Sequence, residues 1–460
     1  MLYPRFRNVA FLNLPDRTKR HRTAGPDRAT PPGGCRIGAV VSRTAPPTRS
    51  LADAVGAAAA RLEGVALPTP LQPCERLSAA TGAQVWLKRE DLQVGRSYKL
   101  RGAYNLLAQL SPEERAAGAV CASAGNHGQG VAYACRRLGL RGRVHVPSTT
   151  PRQKRERITA LGGDAVELVV GGDTYDEAAA AAAEYAERTG ATVVPAFDDL
   201  RTITGQGTVA AEIVAQLDGA PDVVVVPVGG GGLLAGVGGF LAERHPGVRI
   251  VGVEPAGAAS MTAALAAGEP VALPELDTFV DGAAVRRVGD VSLPLVRDSG
   301  AELVTVAEGR VCTEMLDLYQ VDGIIAEPAG ALAAAALDEI ELEPGATVVC
   351  LLSGGNNDVS RYAEVVERSL VHRGLKHYFL VEFPQEPGAL RRFLDEVLGP
   401  DDDIVLFEYV KRDNRETGAA LVGIELAERD GYEPLWKRME ASPLKIQHVA
   451  PGTTAYRFLV

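Results

Sequence analysis

Three short segments of this chain carry residue types that can do chemistry together. In Gly95-Arg96-Ser97-Tyr98-Lys99-Leu100-Arg101-Gly102-Ala103, a lysine sits between Tyr98 and Leu100, just after an apolar strand and at the start of a helix. Such a lysine loses solvation and feels the positive end of the helix dipole, and both favour the free amine that a Schiff base needs. Alone, the pattern more often describes a solvated lysine in a first helical turn. In Ala122-Ser123-Ala124-Gly125-Asn126-His127-Gly128-Gln129-Gly130, small residues occupy a strand-to-helix turn whose backbone N–H groups suit a carboxylate. Asn126 and His127 are more polar than turn geometry demands, although Asn126 also serves as an ordinary helix cap. In the third segment, the strand Val223–Val228 leads into Gly229-Gly230-Gly231-Gly232-Leu233-Leu234-Ala235-Gly236. Four glycines there can fold into a nest of N–H donors backed by a helix N-terminus, a cradle for phosphate. The Gly-Lys-Ser/Thr ending of a nucleoside-triphosphate loop is missing, which disfavours ATP.

The glycine run also fits another template. Gly230-x-Gly232-x-x-Ala235, with Glu254 at the end of the next strand, satisfies a loosened dinucleotide fingerprint and implies a nicotinamide-dependent oxidoreductase. That reading leaves Ser97–Gly102 and Ser123–His127 without a role. A fourth segment favours the first reading: Val348–Leu352 runs into Ser353-Gly354-Gly355-Asn356, placing a hydroxyl at the carboxyl end of a strand. Parallel sheets bind ligands at those ends, so Lys99, Asn126, Gly229–Gly232 and Ser353 can meet at one crevice.

The elements that must position these groups are legible as alternating Ala-rich helices and short β-branched runs. Strands are expected at Gln84–Lys88, Gly118–Cys121, Arg143–Val146, Ala165–Val170, Thr192–Pro195, Val223–Val228, Ile250–Val253 and Val348–Leu352. Consecutive valines predict sheets covered on both faces, hence parallel βαβ units in an α/β fold. After about Arg373 the pattern changes. Strand His377–Phe383, helix Gly388–Leu398, strands Ile404–Lys411 and Thr417–Leu426, helix Gly431–Glu440 and closing strands Ile446–Val449 and Tyr456–Val460 form a βαββαβ plan of about 84 residues. Its alternation of apolar and polar residues predicts a sheet buried on one face. The expected division is a basic, disordered extension at 1–50, a catalytic domain at 51–372 with a smaller subdomain near 88–200, and a separate domain at 373–460.

Composition narrows the function classes. The 460 residues are 46% hydrophobic and 23% charged, an ordinary globular balance without an apolar run long enough to span a membrane. Residues 1–50 hold ten Arg/Lys against two Asp, a net of +8, so the rest of the chain carries −18 of the total −10. An acidic body argues against nucleic acid as a partner. The six cysteines show no C-x-x-C pair and no ligand-spaced His, so neither zinc nor a disulfide framework is expected. No signal-like apolar region follows the basic start, and the chain reads as cytoplasmic with reduced thiols.

Taken in order, a lysine, an asparagine, a glycine cradle and a serine resemble the fold-type-II pyridoxal-phosphate enzymes. The wording of Ser97–Ala103, Ser123–His127, Gly229–Leu233, Glu327-Pro328-Ala329-Gly330-Ala331 and Ser353–Asn356 resembles the threonine dehydratase (threonine ammonia-lyase) branch across about residues 65–460. The resemblance implies a tryptophan synthase β-like fold of two parallel-sheet subdomains. It implies that Lys99 carries pyridoxal 5′-phosphate and acts as the base, that Asn126 contacts the ring 3′-oxygen, that Gly229, Gly230, Gly231, Gly232 and Leu233 hold the phosphate, and that Ser353 faces the pyridine nitrogen. Ser123, Ala124, Gly125 and His127 would border the substrate carboxylate. The implied reaction converts L-threonine to 2-oxobutanoate and ammonia, at the head of isoleucine biosynthesis. L-serine dehydratases and racemases share the plan, and a methyl group discriminates by only about 1–3 kcal/mol. Racemase-like members use an acidic metal site after the strand bearing Glu254, but Ser260 stands here where they have an aspartate, so no divalent metal is expected, and a monovalent ion stays open. Phe383-Pro384-Gln385-Glu386-Pro387-Gly388-Ala389-Leu390 resembles the strand-to-helix turn of an ACT-like regulatory domain, with isoleucine as the implied effector; such a domain can also serve oligomer contacts alone. The family implies a homotetramer. A cofactor fold kept as a non-enzymatic amino-acid sensor would be expected to have lost Lys99 or Ser353, and both are present.

Overall fold

The computed structural model describes residues 50–409 and 416–456. The extension expected at 1–50, except Ser50, lies outside them, as do Cys35, the end of the strand expected at Ile404–Lys411 and residues 457–460 of the strand expected at Tyr456–Val460.

Fourteen strands are found among the described residues: β1 (Leu71–Pro73), β2 (Gln84–Arg89), β3 (Ala119–Ala122), β4 (Gly142–Val146), β5 (Val166–Val170), β6 (Thr192–Val193), β7 (Val223–Pro227), β8 (Arg249–Pro255), β9 (Glu302–Val306), β10 (Thr347–Leu352), β11 (Lys376–Pro384), β12 (Asp403–Tyr409), β13 (Thr417–Glu425) and β14 (Lys445–His448). They form three sheets, in the orders β1-β2-β10-β7-β8-β9, β5-β4-β3-β6 and β12-β13-β11-β14. The first is parallel except for β1, which pairs antiparallel to β2, and the second is wholly parallel. Sequence reading missed β1 and β9, which lie at the two edges of the large sheet. Their short or half-exposed runs lack the apolar density of the central strands. The strand expected through Pro195 stops at Val193, because proline has no N–H to continue a ladder.

The valine run of β7 shows why the large sheet needs cover on both sides. Side chains alternate across a strand, so Val223 and Val225 enter one apolar core while Val224 and Val226 enter the other. In β10, Val348, Cys350 and Leu352 face the first core and Val349 and Leu351 the second. Each fully buried valine or leucine stabilises the fold by about 1.5–3 kcal/mol. The small sheet has two cores of its own, one around Val131, Val144 and Ile158 and a smaller one of Val120, Ala182 and Ala191.

The C-terminal sheet behaves differently. Along β11, Phe379, Val381 and Phe383 are buried while Leu380 and Glu382 are exposed, the alternation of a sheet covered on one face only. Helices Ala389–Glu396 and Tyr432–Ala441 cover it through Phe393, Leu435 and Met439. A linker helix, Tyr362–His372, leads into this sheet. It is fastened to the preceding fold by Thr313 Oγ1 and Ser369 Oγ, 2.9 Å apart, and by Arg361 and Arg368, whose guanidinium carbons lie 4.8 and 4.3 Å from the Phe279 ring centre. Among the described residues no helix is long and apolar enough to cross a membrane.

Candidate active site

Because β2, β10 and β7 are parallel neighbours, the loops leaving their carboxyl ends emerge side by side. The loop after β2 turns through a 3-10 segment, Glu90–Leu92, and reaches Arg96, a non-glycine residue held at φ 52°. That strained backbone persists because its surroundings tie it down. Arg96 N donates to Gln93 O at 2.7 Å, Gly355 N donates to Arg96 O at 2.9 Å, and Ser97 forms an isolated antiparallel bridge with Gly354. Tyr98 N donates to Ser353 O at 3.2 Å. Lys99 is the first residue of helix Lys99–Leu107 and sits one residue from the Ser353 loop. Its Nζ donates to Ala196 O at 3.2 Å and lies 5.1 Å from the Tyr98 ring centre.

Helix Lys99–Leu107 is anchored from its first turn by Arg101, which is 1% exposed. The guanidinium bonds Glu90 at 2.8 Å through both Nε and Nη2, Glu212 at 2.6 and 2.9 Å, and Thr208 at 3.1 Å. Burial pushes the Glu212 carboxyl up, but hydrogen bonds and charge from Arg101, with Lys88 beside it, bring it below its ordinary value. Burial has the upper hand on Lys88, which is lowered despite the same carboxylate. Arg101 is therefore the cation that secures this network.

The glycine cradle follows β7, with Gly231 at φ 91° as the cap of helix Gly232–Arg244. A Cβ on Gly230 would lie 2.4 Å from the Phe197 ring, and one on Gly232 would lie 2.8 Å from Phe197 O. Asp198 fixes that phenylalanine by accepting from the backbone N–H groups of Asp290 at 3.0 Å and Val291 at 2.8 Å. Ser292 Oγ donates to Gly230 O at 2.6 Å. The run is thus a side-chain-free cradle at a helix N-terminus, next to the carbonyl that holds Lys99 Nζ. These features fit a pyridoxal phosphate whose phosphate is held by backbone N–H groups. Gly232→Ala is expected to weaken cofactor binding roughly ten- to a hundredfold, the effect of about 1–3 kcal/mol of overpacking. Titrating the apoprotein with pyridoxal phosphate would measure this, and unchanged affinity would remove the cradle from the site.

After β3, Ser123 to Gly125 stay half-buried and helix Asn126–Leu138 begins. The Asn126 amide is held on both sides: Nδ2 donates to Glu327 Oε1 at 2.6 Å, and Oδ1 accepts from Asn356 Nδ2 at 2.7 Å. Asn356 Nδ2 also donates to Gly95 O at 2.7 Å, which sets the orientation of both amides. Ser353, 4% exposed, donates to Ala329 O at 3.2 Å. Lys99, Asn126, Ser353 and the glycine cradle, chosen from sequence, are therefore joined by one set of contacts, with Leu233 buried in the first turn behind the cradle.

The His127 ring turns away from the turn that its backbone helps to form. Its Nε2 lies 2.7 Å from Val194 O, and a carbonyl only accepts, so Nε2 carries the proton and Nδ1 is an acceptor. Burial, and then the charge of Lys99, push the imidazole down to about 4, so the ring is neutral. A neutral acceptor does not hold a carboxylate, and only the backbone N–H of His127 remains suited to that task. The dinucleotide alternative also loses its acid. Glu254 is fully buried, and its carboxylate accepts from Met261 N at 2.6 Å, Thr262 N at 2.9 Å and Thr262 Oγ1 at 2.7 Å, capping helix Ser260–Ala267. Sequence reading gave no role to Phe197, Asp281 or Glu327. Only Glu327 had left a signal there, a carboxylate ahead of Pro328 inside an otherwise apolar motif.

Comparison with known proteins adds three findings. Residues 62–354 match the family described as pyridoxal-phosphate dependent enzyme, and residues 367–459 match the C-terminal regulatory domain of threonine dehydratase. The biosynthetic L-threonine dehydratase of Mycobacterium tuberculosis is 65% identical over 422 residues, covering 91% of this chain and 98% of that protein. Among solved structures, the processed form of threonine deaminase isoform 2 from Solanum lycopersicum is 40% identical with a TM-score of 0.65, covering 69% of this chain and 93% of the other. Maize serine racemase is 29% identical with a TM-score of 0.64, covering 70% of this chain and 98% of the other.

Proposed function

The chain belongs to the pyridoxal-phosphate-dependent enzymes, in the branch of the biosynthetic threonine dehydratases, and from that premise we propose how its own residues perform the reaction. It is a threonine ammonia-lyase: L-threonine loses water and its amino group to give 2-oxobutanoate and ammonia, the entry to isoleucine synthesis. The observation that carries this reading is the match to a dehydratase along nearly the whole chain, regulatory domain included.

Pyridoxal phosphate, when bound, supplies the electron sink for negative charge at the substrate's Cα. The chain does the rest. Lys99 would hold the cofactor through its Nζ, and the same amine, when free, is the base placed to take the α-proton. Gly229 to Gly232, with Leu233, present N–H groups to the phosphate, and Asn126 meets the ring 3′-oxygen. Ser353 faces the pyridine nitrogen. By turning its one proton from Ala329 O, the Ser353 hydroxyl would donate to an unprotonated nitrogen, whereas a carboxylate there would favour a protonated one; the weaker sink suits prompt loss of the β-hydroxyl. Ser123, Ala124, Gly125 and His127 border the substrate carboxylate; the Ser123 N–H is committed to His145 O at 3.1 Å and the Gly125 N–H to Ser123 Oγ at 3.3 Å, which leaves the N–H groups of Ala124 and His127 to receive it. The test is the visible absorption of the purified protein, followed by 2-oxobutanoate formation from L-threonine. Product from L-serine alone would move the function to a serine enzyme.

Regulation by L-isoleucine is part of the proposal. A cavity of about 420 Å³ in the C-terminal domain is walled by Phe383, Leu390, Leu394, Phe407 and Tyr409, with Glu386 and Arg391 also lining it. Its size and apolar walls suit a branched amino acid with a charged end. The clasp of Arg361 and Arg368 on Phe279 supports a mechanical link between this domain and the catalytic fold. In Leu394→Glu, the isoleucine concentration giving half-inhibition should rise at least about tenfold, since a charge replaces an apolar wall. Turnover without isoleucine should stay within about twofold. Inhibition unchanged from wild type would leave the domain a support for oligomer contacts. We further assign a homotetramer in the cytoplasm, supported by the family resemblance and by the buried free thiols of Cys74, Cys121, Cys135, Cys312 and Cys350.

A further inference from the structure

Glu327 lies beside the candidate site without a role in the reaction described. It is 6% exposed and stands at the cap position of helix Pro328–Ala335, yet its side chain makes no capping bond there. The carboxyl turns instead to Asn126, whose Nδ2 donates to Oε1 at 2.6 Å across 201 residues of sequence. The pocket around it is tight, since a Cβ on Gly354 would lie 2.2 Å from Oε1. Among the described residues no cation forms an ion pair with it. The charged groups facing it are Asp281, from the segment between helices Ser260–Ala267 and Ser292–Asp298, and Lys154, from helix Arg152–Gly162. Lys154 Nζ is committed to Asp281 at 3.1 Å, and Arg361 also pairs with Asp281, at 3.5 Å.

A buried carboxylate without a cation is costly, and its proton is correspondingly hard to remove. Burial, and then the negative charge of Asp281, push the Glu327 carboxyl up to about 7, against the opposing pull of Asn126, Lys154 and the Asn356 backbone. The amide it touches is the one assigned to the cofactor's ring oxygen. The orientation of that amide is dictated by a chain ending at a backbone carbonyl: Gly95 O fixes Asn356, Asn356 fixes Asn126 Oδ1, and Nδ2 is left to Glu327.

We propose that Glu327 is a positioning residue for the bound cofactor: it holds the Asn126 amide against the ring oxygen and, by gaining or losing a proton, sets the charge beside that oxygen. This rests on the cofactor reading above. One Asn126 N–H goes to Glu327 and the other is free for the ring oxygen. Negative charge on Glu327 polarises the amide and disfavours a second negative charge on that oxygen. A neutral Glu327 lifts the penalty. The proton balance is simple, because only the Glu327 O–H bond is made or broken.

The experiment is a pH titration, from about 6 to 9, of the visible absorption of the holoenzyme without substrate. Cofactor affinity of the apoprotein is measured alongside. Wild type should show a transition centred near pH 7. Glu327→Gln keeps the shape and the hydrogen-bond acceptor but cannot ionise, so its spectrum should be flat across that range while cofactor affinity stays within about tenfold. Glu327→Asp covers the case in which Glu327→Gln fails to fold. It retains an ionising group set back from Asn126, so its transition should persist with a shifted midpoint. A purely structural role predicts weaker affinity with the wild-type midpoint kept, and that result in either variant overturns the proposal. A wild type that takes up pyridoxal phosphate but shows no transition also overturns it. A wild type that takes up no pyridoxal phosphate overturns the cofactor reading and this inference with it.

Discussion

Lys99→Ala is expected to lose covalently held pyridoxal phosphate on desalting and to form 2-oxobutanoate at least about 10²–10⁴-fold more slowly, the usual contribution of a positioned general base. Loss of the covalent linkage adds to that. The residue occupies a confined place: its Nζ lies 3.2 Å from Ala196 O, and the carbonyl carbon of Lys99 lies 3.1 Å from where a Cβ on Gly130 would fall. An alanine there removes the amine without disturbing the close approach of the two helices. Lys99→Arg separates charge from nucleophilicity. It keeps a cation, but a guanidinium does not give up its proton to become a nucleophile. Both variants should lose the visible band of the bound cofactor and turnover together, read from the spectrum and the keto-acid assay. Turnover retained in either one would sink the assignment of Lys99.

Arg101→Met should produce the largest loss of stability. All the N–H groups of this guanidinium face acceptors, and its removal strands Glu90, 1% exposed, without its principal cation. Breaking a buried pair from one side costs about 3–5 kcal/mol, measurable as a lower urea midpoint or melting temperature. The sign of the pH dependence follows from Glu212, whose carboxyl is held below its ordinary value in the folded protein. A depressed carboxyl contributes stability that is fully present above its unfolded value and is lost as pH falls through the folded one. The gap between wild type and Arg101→Met should therefore be widest near neutrality and narrow as pH falls below about 4.5. A gap equal at pH 4 and pH 7 would mean that lost packing, rather than lost charge, destabilises the variant. Because Arg101 shares the first helical turn with Lys99, even the folded fraction of the variant should bind cofactor more weakly.

Much of the site could be read from local text because each piece is a short strand end followed by a loop of characteristic residues. The four glycines after Val223–Val228, the lysine between Tyr98 and Leu100 and the serine after Val348–Leu352 carry their chemistry in a few adjacent letters. The large sheet was equally legible at its centre, where β7 and β10 are apolar on both faces, and faint at its edges, where β1 and β9 are not. In the C-terminal domain the alternation along β11 announced a sheet covered on one face, and Phe379, Val381 and Phe383 are buried.

What escaped was whatever depends on which distant segment arrives beside a given side chain. No local pattern places Glu327 against Asn126, Phe197 over Gly230 or Glu212 on Arg101, since these partners are separated by tens to hundreds of residues. His127 makes the same point in reverse. Its position beside the small-residue turn was evident from the chain, but the partner of its ring was not: Val194 O claims the ring proton and leaves a neutral acceptor. Composition and periodicity encode secondary structure and burial, which are short-range properties of the chain. Hydrogen-bond partners, proton positions and the charge beside a buried carboxyl belong to long-range packing, and they exist only once the sheets have brought their loops together.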